Sequence, residues 1–135
     1  MFIDSHAHLD SLEDLTDVLE RSREARIEKI VAISSNLDSS VKTAGIARGE
    51  EMIYAAVGVH PHNADTASSD VFKEIENLIN EPKVVALGET GLDYHYMNSD
   101  KESQINSLNE HIELGKKHEL PIVIHVREAD DAATY

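Results

Sequence analysis

Apolar runs alternate with amphipathic stretches along the whole chain. Short runs of consecutive apolar residues, rich in Val, Ile and Ala, are typical of strands that are covered on both faces. The predicted strands cover the opening residues up to His8 and then residues 27–34, 52–59, 84–89 and 121–125. We therefore expect five short strands, of which the three at 27–34, 52–59 and 84–89 are buried.

Between these strands, apolar residues recur at intervals of three and four positions, which predicts amphipathic helices. The predicted helices lie between Asp10 and Arg26 and at residues 36–49, 71–79 and 103–119, with another opening over 127–135. Asp10 or Ser11 is the expected cap of the first helix. The longest helix carries its apolar residues at Ile105, Leu108, Ile112 and Leu114.

The alternation of strand and helix predicts an α/β fold of parallel strands joined by right-handed crossovers. We favour a TIM-like (βα) barrel over a doubly wound open sheet, because the open sheet usually carries a glycine-rich phosphate loop after its first strand, and this chain has His-Ala-His-Leu-Asp there. A complete barrel takes about 250 residues. The chain supplies about four βα units plus a fifth strand, so we expect residues 1–135 to be the N-terminal part of a single barrel, truncated or a fragment.

Composition narrows the function classes. The chain has 41% hydrophobic residues, enough for a core, and no cysteine, which excludes disulfides and thiolate zinc sites. No apolar run approaches the roughly 20 residues of a membrane helix and no secretory signal is recognisable, so we expect a soluble, cytoplasmic protein with no membrane partner. The formal charge of −14 argues against binding a polyanion through a broad basic surface. A phosphate-bearing substrate would have to be held locally, by metal ions and a few side chains.

Candidate metal ligands open the chain. Side chains two positions apart in a strand share a face, so Asp4, His6 and His8 point the same way and the two imidazoles form a ready chelate for a divalent metal. Asp4 is expected to accept a hydrogen bond from the ring of His6 and so to orient it. The alternative is a surface strand with two chance histidines.

Metal-capable side chains also end the later strands. His60 follows the third strand, Glu89 ends the fourth and His125 ends the fifth, and the active site of a (βα) barrel lies at that end of its strands. Two divalent ions can clamp the attacking and leaving oxygens of a phosphodiester, and we expect His6, His8, Glu89 and His125 to converge on such a site. Alternatively, Glu89 caps the following turn and His125 is an ordinary core histidine.

Glu89 is also the candidate catalytic residue, as the carboxylate that would bridge two metal ions. Gly88 and Gly91 lie on either side of it, and their small size is expected to let metal or substrate approach the backbone.

Four residues near these strand ends are candidate substrate contacts, namely His60, His62, Asp93 and Arg127. The proline between the two histidines fixes their loop, which either contacts a substrate phosphate or is merely structural. Asp93 either hydrogen-bonds a ligand or forms an Asx turn. Arg127 either forks a phosphate or pairs with Glu128 or Asp130. The remaining histidines, His95, His111 and His118, are expected to have no catalytic role.

Four segments carry most of these residues, in order along the chain: FIDSHAHLD at 2–10, AVGVHPH at 56–62, ALGETGLDYHY at 86–96 and PIVIHVREA at 121–129. Together they resemble the successive signature segments of the TatD family of metal-dependent deoxyribonucleases, within the amidohydrolase-like barrel superfamily. The resemblance implies a TIM-like barrel in which His6, His8, Glu89 and His125 bind two divalent ions (Mg, Mn or Zn) and Glu89 is shared between them. It also implies hydrolysis of phosphodiester bonds in DNA or related substrates, including 3′ to 5′ exonuclease action.

The resemblance also implies what the chain lacks. Family members carry one further histidine ligand and a late aspartate that binds metal and helps to activate water, and both should lie beyond Tyr135. We therefore expect the 135 residues alone to hold an incomplete second metal position and no obvious general base.

Two other functions compete with the nuclease. An amidohydrolase acting on a cyclic amide or ester uses the same first-strand His-x-His, but such enzymes often bridge their metals with a modified lysine where this chain has Glu89. The other is a non-catalytic half-barrel that hides its open edges by self-association or by pairing with a missing C-terminal half, since unpaired strand edges and uncovered apolar faces are costly in water.

Overall fold

Strands and helices alternate in the computed structural model, which describes residues 2–129. The strands are β1 (Phe2–Ala7), β2 (Ile27–Ile33), β3 (Ile53–Val57), β4 (Val84–Asp93) and β5 (Ile122–Arg127). The helices are α1 (Leu15–Glu24), α2 (Leu37–Gly49), α3 (Ser69–Ile79) and α4 (Lys101–His118), and a 3-10 helix, Pro61–Thr66, precedes α3.

All five strands are parallel and stand in the sheet in the order in which they occur in the chain. A doubly wound sheet reverses its strand order part-way, so that helices cover both faces. A sequential order with crossovers of one hand keeps the helices on one face and lets the sheet curl around the other. The chain therefore forms a curled half-barrel with alternating helices, which confirms the predicted fold class.

The two faces of the sheet are covered differently. In β2, Ile30 and Ala32 belong to the main core, which includes residues of the helices, whereas Ile33 packs with Ala56 and Ala86 in a second cluster made only of strand residues. Successive side chains of a strand point to opposite faces. The main core thus lies between sheet and helices, and the second cluster lies on the concave inner face.

The first helix begins later than predicted. Asp14 caps α1 by accepting a hydrogen bond from the Asp17 amide at 3.1 Å, so the expected cap at Asp10 or Ser11 is wrong. Asp10 instead accepts a hydrogen bond of 2.8 Å from the Ser39 hydroxyl. That bond ties the loop after β1 to the start of α2.

The last two strands are longer than their apolar runs suggested. Glu89 was expected to end β4, but the strand continues to Asp93, and β5 continues past His125 to Arg127. The added residues pair with each other, for example Asp93 with Arg127. Arg127 therefore belongs to a strand, and the helix predicted to open there lies, from residue 130 onward, outside the described residues.

The two glycines around Glu89 admit a neighbouring strand. Both have a positive φ, 134° at Gly88 and 140° at Gly91. A Cβ on Gly91 would overlap the carbonyl oxygen of His125, and one on Gly88 would press on that of Val123. The expected approach of metal or substrate to these glycines is thus replaced by the close approach of β5.

The longest helix, α4, turns an unexpected face to the protein. Its buried residues are Gln104, Ser107, His111 and Gly115, whereas Ile105, expected on the apolar face, is 42% exposed. Since three of these four buried residues are polar, apolar periodicity could not identify this face.

The outer strands of the half-barrel carry exposed apolar residues. β1 and β5 each pair with one neighbour, and Phe2 and Ile3 on β1 and Ile124 and Val126 on β5 are exposed. Among residues 2–129, no helix has both the length and the hydropathy that a membrane crossing requires.

Candidate metal centre

Glu89 lies at the centre of the histidines, because β4 stands between β1 and β3 on one side and β5 on the other, and the histidines lie on or directly after those strands. Its side chain is largely buried, and its two carboxylate oxygens face different partners. Oε2 lies 3.4 Å from Nε2 of His6 and 3.8 Å from Nε2 of His8. Oε1 lies 3.3 Å from Nδ1 of His125. We call His6 and His8 the β1 group, and His60 and His125 the inner group.

The β1 group presents a free nitrogen to the carboxylate. Nδ1 of His8 lies 3.0 Å from the carbonyl oxygen of Ile33, and because a carbonyl can only accept, Nδ1 carries the proton. Nε2 of His8 therefore turns its lone pair toward Glu89. The expected contact of Asp4 with the His6 ring is absent, since the Asp4 carboxylate accepts from the His6 backbone amide at 3.0 Å.

His125 of the inner group also presents an unprotonated nitrogen to Glu89. Nε2 of His125 lies 3.0 Å from Oδ2 of Asp93. An ionised carboxylate can only accept, so Nε2 carries the proton and Nδ1 turns its lone pair toward Glu89. One nitrogen or oxygen of each of His60, Glu89 and His125 lies within 4.8 Å of the others.

Asp93 supports the inner group from beneath. Its side chain is fully buried, and its oxygens accept from Nε2 of His62 at 2.8 Å, from Nε2 of His125 at 3.0 Å and from the amides of His95 and Tyr96 at 3.1 and 2.9 Å. Burial by itself raises the pKa of Asp93, but the hydrogen bonds from Tyr96, His62 and His125 outweigh it and hold the pKa well below its usual range. Asp93 thus orients histidines and closes the Asx turn that the sequence analysis gave as one of its two alternatives, and its contact with substrate stays a prediction.

His60 and His62 contact each other through the loop. The backbone amide of His62 donates to Nδ1 of His60 at 3.1 Å, so the proton of the His60 ring is on Nε2. Burial is the main influence that lowers the pKa of His60 to about 4, with nearby His125 and His62 adding to it and Glu89 opposing it. His60 is therefore a neutral donor at pH 7, and His62 already donates its Nε2 proton to Asp93.

Arg127 stacks on an aromatic ring that the sequence did not single out. Its guanidinium carbon lies 4.6 Å from the centroid of the exposed Tyr96 ring. Glu128, one of its expected ion-pair partners, instead lies 2.7 Å from Nδ1 of His95, and Asp130 lies outside the described residues.

A cavity of about 620 Å³ lies elsewhere, between the 3-10 helix, α3 and α4, and is lined by residues such as Phe72, Lys73 and Ser107. None of the residues of the two metal-capable clusters lines it. Metal ions are selected by converging donor atoms rather than by volume, so we place the candidate site at Glu89.

The sequence profile of the family described as TatD related DNase matches residues 3–134. This chain belongs to that family. Its relatives include proteins named as a metal-dependent hydrolase and as an exonuclease. It is 36% identical over 134 residues to the uncharacterised metal-dependent hydrolase YabD of Bacillus subtilis (strain 168), covering 97% of this chain and 52% of YabD. It is 32% identical over 120 residues to the 3′-5′ ssDNA/RNA exonuclease TatD of Erwinia tasmaniensis, covering 88% of this chain and 46% of that protein.

A solved structure of a TatD homologue has the same fold. The crystal structure of YJJV from Escherichia coli K12 matches with a TM-score of 0.87 at 29% identity, over 98% of this chain and 53% of that one. The chain therefore spans about half the length of the relatives it matches.

The donors around Glu89 in this TatD-family chain fit divalent ions. Separations of 3.3 to 3.8 Å between nitrogen and carboxylate oxygen exceed the roughly 2.7–3.2 Å of an N–H···O hydrogen bond. Two ligand atoms that are each about 2.0–2.2 Å from one ion in a tetrahedral arrangement lie about 3.4 Å apart. Lone pairs that face a carboxylate at these distances repel it unless a cation lies between them. The donor atoms around Glu89 therefore fit a bound metal ion.

Proposed function

We propose that this chain forms the metal-binding half of a TatD-type hydrolase that cleaves phosphodiester bonds of DNA with two divalent ions. The proposal rests on the orientation of the Glu89 carboxylate, whose Oε2 faces the β1 group and whose Oε1 faces the inner group. A carboxylate with one oxygen directed to each of two ligand sets is the bridging element of a two-metal site.

The β1 group and His125 would hold the ions, with Glu89 shared. When bound, such ions supply positive charge for the attacking and leaving oxygens and lower the pKa of water. The chain has a formal net charge of −14, so it does not attract a polyanionic substrate over a broad surface. The positive charge of the bound ions would therefore be particularly important for holding such a substrate.

His60 and Arg127 are the proposed contacts to the substrate phosphate. His60 keeps its Nε2 proton at neutral pH, as its contact with the His62 amide requires, so it can donate to a phosphate oxygen beside His125. Arg127, stacked on Tyr96, presents N–H donors suited to two phosphate oxygens. His62 is already bonded to Asp93 and contributes chiefly by holding the loop.

The test is hydrolysis of a 5′-labelled single-stranded DNA oligonucleotide by the full-length protein with Mg²⁺ or Mn²⁺. We expect shortening from the 3′ end that EDTA abolishes and that Glu89→Gln lacks. Undiminished cleavage in EDTA would contradict the proposal. Faster hydrolysis of a hydantoin than of DNA would favour the cyclic-amide hydrolase instead.

A second candidate function rests on the exposed apolar residues of both outer strands, such as Phe2, Ile3 and Ile124. It is a non-catalytic half-barrel that covers these edges by self-association, because unpaired apolar edges promote pairing. Sedimentation of the 135-residue chain tests it. A discrete oligomer is expected, whereas a monodisperse monomer of 15.0 kDa that melts cooperatively would contradict it.

A further inference from the structure

The buried face of α4 is polar where a helix packed on a sheet is normally apolar. Gln104 and His111 are completely buried. Buried polar side chains are stable only where they find hydrogen-bond partners. Both of these residues find their partners beside the candidate metal centre.

Gln104 bonds the main chain of Asp93 as a neighbouring strand would. Its Oε1 accepts from the Asp93 amide at 2.7 Å, and its Nε2 donates to the Asp93 carbonyl at 3.1 Å and to that of Ser99 at 2.8 Å. On the β3 side, β4 has strand pairing only as far as Leu87, so Gln104 replaces the missing strand at Asp93. The carboxylate of Asp93 in turn holds the ring of His125.

His111 reaches the other two segments of the site. Its Nε2 accepts from the amide of Val59, the residue before His60, at 3.1 Å. Its Nδ1 lies 2.6 Å from the carbonyl oxygen of Ser107 and 3.1 Å from the hydroxyl of Thr90, the residue after Glu89. An amide can only donate and a carbonyl can only accept, which places the ring proton on Nδ1.

We propose that Gln104 and His111 are positioning residues for the metal centre, which hold the main chain at Asp93 and at Val59 so that Glu89, His60 and His125 converge. The inference rests on the proposed metal-binding function and extends it to α4, whose His111 is expected from the sequence to have no catalytic role. Partners of this kind fix ligand rings and main chain, and their loss typically costs about 10- to 100-fold in metal affinity.

The test is a titration of α4 variants of the full-length protein with Co²⁺, in which the visible absorption of the bound ion reports binding. The thermal unfolding of each variant is measured as well. Gln104→Met and His111→Leu keep the volume but lose the bonds, and each should weaken Co²⁺ binding about 10-fold or more and alter the absorption band. His111→Gln restores an acceptor at the position of Nε2 and should remain close to the wild type. If an apolar variant fails to fold, Gln104→Asn takes its place, because its amide is too short to reach Asp93.

Two controls on the same helix separate positioning from stability. Ser107→Ala removes a buried hydroxyl that has no hydrogen-bond partner and should leave Co²⁺ binding unchanged. Leu108→Ala removes half-buried apolar packing and should lower the melting temperature while Co²⁺ affinity stays at the wild-type value.

Three outcomes would overturn the inference. The first is that Gln104→Met and His111→Leu keep the wild-type Co²⁺ affinity and absorption band. The second is that Leu108→Ala loses Co²⁺ affinity in proportion to its loss of stability. The third is that His111→Gln is as impaired as His111→Leu. A wild-type protein that binds no Co²⁺ would instead refute the proposed metal-binding function itself.

Discussion

Glu89 offers one carboxylate oxygen to each of two histidine groups, and the two groups differ in how the protein supports them. The side chains of the β1 group are 42% and 47% exposed. His6 lies on β1 and His8 directly follows it, and within residues 2–129 this strand pairs with β2 alone. The His125 side chain of the inner group is 23% exposed and rests on Asp93, which is fully buried. One side of the site is thus fixed by a buried network, and the other depends on an outer strand.

The difference has a consequence for metal binding. Donors that are already held in place lose less conformational freedom on binding than mobile ones. We therefore expect the inner group to bind its ion more tightly than the β1 group does. The affinity of the β1 group should depend more on what packs against β1. The next three experiments test this difference between the two groups.

The largest effect is expected from Glu89→Gln, because it removes the charge shared by both groups. A neutral amide cannot bridge two cations, so affinity on both sides should fall by more than the roughly 100-fold upper range seen for supporting partners. The measurement is bound Mn²⁺ per protein after dialysis, by elemental analysis. Retention of wild-type Mn²⁺ content would show that Glu89 is not the shared ligand.

His8→Ala should remove one ion and spare the other. It deletes a nitrogen 3.8 Å from Oε2 of Glu89 and leaves His125 and Asp93 untouched. We expect Mn²⁺ content to fall from about two to about one per protein. Loss of both ions together would contradict the independence of the two groups.

Asp93→Asn should weaken the inner group selectively. The amide oxygen still accepts from the Tyr96 backbone, but the NH₂ group that replaces Oδ2 is only a donor and cannot accept from His62 or from His125. Affinity of the inner ion should fall about 10- to 100-fold, measured by isothermal titration in the His8→Ala background. An unchanged inner affinity would mean that Asp93 only shapes its turn.

The smallest expected effect is on acid stability, through His111. Burial lowers the pKa of His111 from 6.5 to about 4 despite the opposing hydrogen bond to Ser107. As pH falls from 6.5 to 4, the unfolded chain therefore takes up a proton that the folded protein does not, and stability decreases over that window. His111→Gln should abolish this part of the loss, on the order of 1–3 kcal/mol at pH 4.

Urea unfolding at pH 7 and at pH 4.5 measures this change. The free energy of unfolding of His111→Gln should fall less between the two pH values than that of the wild type. An equal fall in both proteins would show that His111 does not resist protonation in the folded state.

The sequence predicted the parts of the fold that depend on local pattern. Short apolar runs indicated the buried strands. The positions of histidine and glutamate at the strand ends then indicated which residues would meet at Glu89. Asp93 was harder to interpret, because its role depends on His62, which comes from another segment of the chain. The same holds for His111, whose partner Val59 lies 52 residues away.

Other misses have physical causes of the same kind. The extension of β4 to Asp93 depends on pairing with β5, so its own apolar run ends too early to show it. The buried face of α4 is polar because it meets main-chain groups of the site, and helical periodicity detects only apolar faces. The stacking of Arg127 on Tyr96 likewise joins β5 to the turn after β4, and these segments are remote in sequence.

We propose that the two oxygens of the Glu89 carboxylate bind different cations. The most direct measurement is an anomalous difference map from crystals of the full-length protein grown with Mn²⁺. We predict two peaks, one beside Oε2 with His6 and His8 and one beside Oε1 with His125. A map without a peak at Glu89, or with a single peak that both oxygens share, would contradict the account.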